Sequence, residues 1–518
     1  MLLLALATLA ALDVLRSRLL VRAGARLDAR LAGAILDATL ASPSAAGDVL
    51  TKQAMREFDT LRQTMTGAGV IALFDAPWTP LYVLVCFLLH PLLGVVALAG
   101  GGALLGLTWL NERATRSRLR DANEAANHAY ISQEFSVAGS DVIRSLGMRR
   151  AMVGRHLRER EESTRRMMEA NFAGGGYVAA TRFARGFLQS LALGVGAWLA
   201  VEQRISAGAI FAASLLVARA LAPIEQILGA WKGFIQARGA WRTLSDLLSR
   251  SMPDIGMTQL NPPTGALAVE RLTVLNPARD GAILQAVSFR AGPGEIVGVI
   301  GSSGAGKSTL MRLIAGAARP DQGAIRFDGA EMRDFDPERL ARYVGYMPQD
   351  SLLFAGTVKE NIARFSTFLG EATASSIDAM VIRAAETCGA HEMILRLPMG
   401  YDTPLGWGGR GLSAGQAQRI ALARALFGEP RILILDEPNA HLDMEGEVHL
   451  ANALSGLRSR GVTTLVVAHR PGVLAIVDKL MVLRDGRVEA FGARDEVIQR
   501  LATVQPRPLE PLRHGAAA

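Results

Sequence analysis

At 518 residues the chain is too long for one ordinary domain, and a mean hydropathy of +0.23 with 50% hydrophobic residues excludes a wholly soluble protein. The formal net charge of +8 does not point to nucleic acid, because the arginines stand beside apolar runs (Arg16, Arg18, Arg22; Arg113, Arg116, Arg118), as they do in the cytoplasmic loops of membrane proteins. The two cysteines, Cys86 in an apolar run and Cys388 in a polar one, offer neither a disulfide framework nor a metal cluster, and the soluble part is expected in the cytosol.

Apolar stretches at residues 1–15, 67–89, 92–110, 186–201 and 205–228 are five candidate spans, most near the roughly 20 residues a bilayer asks of a helix. The opening MLLLALATLAALDVLRSRLL does not fit a signal peptide: no basic residue precedes the apolar run, Asp13 interrupts it, and Arg16 and Arg18 stand where a small-residue cleavage site belongs. A short HPL turn separates the second and third stretches, which predicts a hairpin. In FDAPWTPLY, Trp78 and Tyr82 suit an interface and the prolines suit a helix kink. Residues 111–171 are polar and Arg-rich with helical spacing, and are expected to project into the cytoplasm. Arg182, Arg185, Arg219 and Glu225 fall in the cytoplasmic half of the last two spans. Charges there either line an aqueous cargo path, or snorkel to the interface or form a structural Arg–Glu pair.

After Arg250, SMPDIGMTQLNPPTG reads as a linker, and from Ala266 short β-branched runs (EIVGVIG, RILILD, TTLVVAH, KLMVLRDG) alternate with helical segments, the pattern of a mainly parallel α/β sheet. The expected organisation is an all-α polytopic membrane domain over 1–249, a linker over 250–265, an α/β domain over 266–501 and a disordered tail over 502–518.

The stretch GSSGAGKST supplies Gly301, Ser302, Ser303, Gly304, Ala305, Gly306, Lys307, Ser308 and Thr309, with GxxxxGK[ST] spacing after a strand and before a helix. Glycines let backbone N–H groups turn around phosphates, Lys307 reaches the β- and γ-phosphates of ATP, and Ser308 offers a hydroxyl to Mg²⁺. Downstream, RILILDEP delivers Asp436 and Glu437 to the carboxyl end of an apolar strand, the edge where open α/β sheets bind ligands. Asp436 is expected to hold Mg²⁺, and Glu437 to polarise the attacking water.

With these residues in place, the chain resembles the ATP-binding cassette ATPases. LSAGQAQRIALARAL (412–426) resembles their signature motif, MPQD (347–350) their Q-loop, NAHLD (439–443) their D-loop and AHR (468–470) their switch histidine, all in family order. The resemblance implies that two such domains pair head to tail, with ATP between one chain's phosphate loop and the other's Ser413, Gly415 and Gln416. It also implies that Asp443 belongs to the nucleotide site, that Gln349 ligates Mg²⁺ and senses the membrane domain, and that His469 contacts the γ-phosphate. Two positions depart from the pattern. Ala414 replaces the usual glycine of LSGGQ, and Asn276 stands where many relatives stack an aromatic on adenine, so adenine selectivity is an open point.

LRQTMTGAGVIALFDAPWTPLY, HPLLG, VIRSLGM, RALAPIEQILGAW and LDEPNAHLDMEGE resemble the type I protein-secretion exporters. That branch implies a homodimeric permease of the cell inner membrane in the lipid bilayer, working with a membrane-fusion adaptor and an outer-membrane channel. Its secreted protein cargo carries C-terminal signals, and motion would pass through cytoplasmic loops, here 42–49 and 130–139. The alternatives are a lipid, drug or peptide exporter, or a soluble cassette ATPase acting on nucleic acid; the fused spans oppose the latter. The branch has six spans, so the chain's opening aligns with the second, and an upstream span absent from this sequence is expected. Five crossings with the ATPase and the Arg-rich segments in the cytoplasm leave Met1 outside.

Overall fold

The structure, a computed structural model, describes residues 2–41, 49–251, 260–276, 281–370, 373–440, 442, 444–468 and 470–503. It divides into two compact units, residues 1–252 and 253–518. Loop 42–49, apart from Val49, lies outside the described residues, as does all of the expected tail beyond Thr503.

The first unit is helical throughout: α1 (Leu2–Ala41), α2 (Val49–Thr66), α3 (Ala68–Asp75), α4 (Thr79–Leu89), α5 (Pro91–Ala138), α6 (Ser140–Ser145), α7 (Arg149–Val201) and α8 (Ala207–Ser251). Four helical stretches among the described residues are long and apolar enough to cross a membrane, namely Ala54–Leu89, Pro91–Ala138, Arg149–Val201 and Ala207–Ser249. They cover the last four expected spans, except that the last begins at Ala207 rather than at 205. The first expected span sits in α1, which is not one of the four, because its apolar run meets Asp13, Arg16 and Arg18 before a bilayer's length is complete.

Prolines punctuate these helices. A short 3₁₀ turn, Ala76–Trp78, separates α3 from α4, with Pro77 inside it and Pro80 in the first turn of α4. A proline lacks the N–H that an unbroken α-helix needs, and its ring crowds the preceding turn. Arg16 of α1 braces the break, donating from Nη1 to Asp75 Oδ1 at 2.9 Å and from Nη2 to the Ile71 carbonyl. The expected hairpin is tighter than an HPL turn. His90 alone is extended (φ −165°, ψ 137°), as a residue before proline prefers, and its Nδ1 accepts the Leu92 N–H at 3.2 Å. Gly94 permits the close return, since a Cβ there would strike the Phe87 ring.

The polar segment 111–171 extends α5 and α7 well beyond bilayer length, joined through the short α6. One apolar core, including Cys86, Ala97, Leu104, Ala192, Val217 and Leu221, ties α4, α5, α7 and α8 together. Another, around Ile35, Phe58, Leu61, Ala240 and Leu244, ties α1 and α2 to α8.

In the second unit a six-stranded sheet runs in the order Arg487–Ala493, Lys479–Arg484, Ile296–Gly301, Thr463–Val467, Ile432–Asp436, Val344–Met347. Its first pair is antiparallel and the rest are parallel. Ile432–Asp436 and Thr463–Val467 are buried along their whole length, as central strands covered on both faces require. A four-stranded antiparallel sheet, Ala282–Ala291, Leu267–Leu275, Gln322–Phe327, Ala330–Glu331, packs into one of the two cores that flank the parallel sheet. The last helix, Arg494–Thr503, runs two residues past the expected boundary at 501, and α8 two past 249, the ordinary indeterminacy of helix ends. Both cysteine side chains are buried.

Candidate functional site

Parallel register assembles the site. Asp436 pairs with Val467, and Val467 pairs with Val299, two residues before Gly301 ends its strand. The acidic end of one strand and the start of the phosphate loop therefore lie at the same sheet edge, one strand apart. Gly304 (φ +80°) and Gly306 (φ +95°) adopt left-handed conformations that turn the loop into the helix Lys307–Ile314. At Gly306 a Cβ would sit 2.7 Å from Leu284 Cδ2 and 3.0 Å from the Ile283 carbonyl. Ser302, Ser303 and Gly304 are exposed along the loop, Ala305 is buried, and Ser308 and Thr309 are half-buried. Lys307 is only 7% exposed, and its Nζ donates to the Gly301 and Ser302 carbonyls at 2.9 Å each, which fixes the ammonium over the loop.

Asp436 is 2% exposed. Burial and then the Asp436 carboxylate push the nearby Tyr346 hydroxyl up to about 12, so the phenol stays neutral beside the acid. Glu437 follows with φ +53°, an uncommon backbone for a residue with a Cβ, of the kind that clusters at functional sites. Its backbone is well held: the N–H donates to the Val467 carbonyl at 3.2 Å, and the carbonyl accepts from Gln418 Nε2 at 3.2 Å and from the Ala440 N–H at 3.2 Å. Gln349 lies on the exposed stretch after Val344–Met347 and donates from Nε2 to Glu437 Oε2 at 3.3 Å. Ser308, Gln349 and Asp436 offer a hydroxyl, an amide and a carboxylate oxygen, a hard donor set that suits Mg²⁺.

The signature stretch forms the helix Ala414–Leu426, started by a capping box in which Ser413 Oγ accepts the Gln416 N–H (3.3 Å) and Gln416 Oε1 accepts the Ser413 N–H (2.9 Å). Ser413 and Ala414 are exposed, and Gly415 and Gln416 half-buried, so this N-terminus faces the surface of its own unit. Asp443 and His469 lie outside the described residues. Asn276 follows the strand Leu267–Leu275 and donates its N–H to the Gly281 carbonyl at 2.9 Å.

Gln418 is not among the expected site residues, although it is a buried polar side chain in the signature helix, whose other buried residues are all apolar. In the membrane unit Glu225 pairs with Arg185 at 2.6 Å and lies 3.9 Å from Arg182, so the structural pair of the two readings is formed. Arg219 is exposed on α8.

A phosphate loop, a buried aspartate and a following glutamate at one sheet edge, in a chain that also carries membrane-length helices, define an ATP-driven transporter. Residues 284–440 match the family model for the ABC transporter and residues 1–223 that for the ABC transporter transmembrane region. The chain is 40% identical over 503 residues to the type I secretion system ATP-binding protein PrsD of Rhizobium meliloti, covering 96% of this chain and 84% of that one. It is 31% identical over 512 residues to the cyclolysin secretion/processing ATP-binding protein CyaB of Bordetella pertussis, covering 94% of this chain and 68% of that one. A bacterial Atm1-family ABC exporter with ATP bound shares the fold, with a TM-score of 0.83 at 23% identity over 97% of this chain and 89% of that one. The chain belongs to the ABC transporter family, within the group of type I secretion ATP-binding proteins. It couples ATP hydrolysis to secretion across the membrane its helices span.

Proposed function

We propose that this chain is the inner-membrane motor of a type I secretion apparatus, acting as a homodimer that exports polypeptides bearing C-terminal secretion signals through an adaptor and an outer-membrane channel. The observation that carries the reading is the identity to PrsD, which runs through 96% of the chain and so through both the helical unit and the ATPase. The proposed division is a membrane domain over 1–249, a linker and an ATPase from 266 to about 501, in keeping with two compact units that part at residue 252.

In this reading the phosphate loop from Gly301 to Thr309 and the Lys307 ammonium bind the triphosphate. Ser308, Gln349 and Asp436 would hold Mg²⁺, which would supply positive charge to offset that of the triphosphate. Glu437 orients the attacking water and takes its proton, with Gln349 alongside. The exposure of Ser413 supports a role for Ser413, Gly415 and Gln416 against the nucleotide of a second copy. Asp443 and His469 join the site by the resemblance of their motifs alone.

The test is reconstitution of the purified chain in liposomes with a membrane-fusion adaptor and a C-terminal fragment of a secreted protein, both taken from a type I secretion system. The expected result is ATPase activity that responds to that fragment and a complex that co-purifies with the adaptor. Activity that ignores the fragment but responds to a lipid or a drug would favour an exporter of small molecules.

A further inference from the structure

Beyond the phosphate loop and its carboxylates, the ATPase holds two half-buried arginines, Arg364 and Arg424, and a buried asparagine, Asn361; Arg364 and Asn361 lie in none of the motifs. Asn361 is fully buried. Its Oδ1 accepts the Phe354 N–H at 2.8 Å, and its Nδ2 donates to the Phe354 carbonyl at 2.9 Å and to the Thr357 carbonyl at 3.0 Å. One side chain therefore fixes both backbone groups of Phe354, five residues after Gln349.

Three residues on, Arg364 and Phe365 take consecutive left-handed conformations (φ +53° and +56°). The turn aims the Arg364 guanidinium at the far end of the signature helix. Nε donates to the Arg424 carbonyl at 3.0 Å, Nη2 to the Ala425 carbonyl at 3.0 Å, and Nη1 to the Ala341 carbonyl at 2.7 Å. These are last-turn carbonyls, which lack partners within a helix, and a cation suits the negative end of the helix dipole. Burial pushes the Arg364 guanidinium down to about 10, which leaves it charged at neutral pH. Gly345 allows the same helix end to lie against the neighbouring strand, since a Cβ there would strike the Ala425 carbonyl. Arg424 in turn places its guanidinium 5.8 Å over the Phe354 ring, which meets the Phe365 ring edge-on at 6.1 Å.

These contacts close a circuit. Gln349 touches Glu437, Glu437 is held by Gln418 on the signature helix, the helix ends on Arg364, and Arg364 is tied through Asn361 and Phe354 back to the stretch that carries Gln349. We propose that Arg364 is a positioning residue of the ATPase reaction: its fork on the carbonyls of Arg424 and Ala425 sets the placement of the signature helix, and with it Ser413 and Gly415, relative to Gln349 and Glu437. The helix is 13 residues long, about 20 Å at 1.5 Å per residue, so a small tilt at the Arg364 end becomes a displacement at Ser413. A lysine in place of Arg364 keeps the charge but loses the rigid three-nitrogen geometry. The proposal rests on the reading of Ser413 given above, and the experiment separates the two.

Arg364→Gln, Arg364→Lys and Ser413→Ala are made in the full chain, reconstituted in lipid nanodiscs, and assayed for steady-state kcat, KM for MgATP and thermal unfolding, with rates expressed per folded molecule. The Arg364→Gln chain is expected to lose about tenfold in kcat with KM within about twofold of wild type, because the nucleotide's own loop is intact while reacting groups are misplaced. The Arg364→Lys chain should fall between it and wild type. If the Arg364→Gln chain fails to fold, the Arg364→Lys kcat decides alone. Rates within about twofold of wild type per folded molecule, or a raised KM with unchanged kcat, would overturn the positioning role. If Ser413→Ala lowers kcat while the Arg364 variants do not, the fault lies with this inference; if Ser413→Ala has no effect, it lies with the reading of the signature motif.

Discussion

Replacing Glu437 by Gln separates the proposed base role from everything else that residue does. The backbone of Glu437 carries its left-handed turn and its bonds to Val467, Gln418 and Ala440, and a glutamine keeps them all. The left-handed φ costs about 1–3 kcal/mol in either chain and cancels in the comparison. The contact from Gln349 Nε2 to Glu437 Oε2, at 3.3 Å, is long for a charge-assisted bond, and losing it is worth about 1 kcal/mol or less, under about fivefold in any constant. Loss of a general base costs about 10²–10⁴ in rate, about 3–5 kcal/mol in barrier height. Base loss therefore exceeds the packing effect by at least about 2 kcal/mol. Phosphate release under saturating MgATP and equilibrium nucleotide binding read the two quantities separately. The expected outcome is binding within about fivefold of wild type and kcat reduced at least about a hundredfold. A kcat within about tenfold of wild type, or a fall in affinity that matches the fall in rate, would remove Glu437 from the base role.

Lys307→Ala deletes the charge held over the phosphate loop and leaves the Gly301 and Ser302 carbonyls without that donor; titration with a fluorescent ATP analogue should show affinity lowered by about tenfold or more, and the melting temperature of the ATPase should fall as well. Glu295 is held below the usual carboxylate range: burial works to raise it, but the Lys479 ammonium at 2.6 Å and the Gly292 N–H outweigh that effect. A depressed folded pKa gives stability that is present above the unfolded value of about 4.3 and is lost as pH falls through the folded value. The stability gap between wild type and Glu295→Gln should accordingly be full at neutral pH and close in acid, as followed by chemical unfolding at a series of pH values; a gap that persists below both values would refute the assignment. Glu225→Gln leaves Arg185 and Arg182 without their shared carboxylate, and should lower the melting temperature of the detergent-solubilised chain more than Arg182→Gln does, since Arg182 is the farther partner and is 73% exposed.

What could be read from the sequence depended on how local its cause was. The phosphate loop was legible because its chemistry sits within nine consecutive residues, and the hairpin at His90 because proline restricts the residue before it. Asp436 and Glu437 were legible as the end of an apolar run. Arg364 was not: its partners Arg424 and Ala425 are 60 and 61 residues away, and nothing in ENIARF marks an arginine that turns inward. Gln418 escaped for the same reason, since its acceptor lies 19 residues on, across the sheet edge. The Arg185–Glu225 pair was readable only as one of two alternatives, because helical rise gives depth along a span but not the rotation that decides whether two side chains meet. Helix α1 shows the converse, in that composition marked its apolar start while the helix itself continues to Ala41 through the arginines.

The burial of both thiols makes the unaltered chain a natural clock for its own unfolding. Cys86 is packed among α4, α5, α7 and α8, and Cys388 is buried in the ATPase core, where burial pushes its thiol up to about 12. A maleimide or disulfide reagent will reach either sulfur only when its surroundings open. The order in which the two are modified during slow denaturation should then tell whether the helical unit or the ATPase gives way first. For the same reason, a cysteine introduced at an exposed position such as Ser413 can be labelled selectively on the folded chain without first removing the native two.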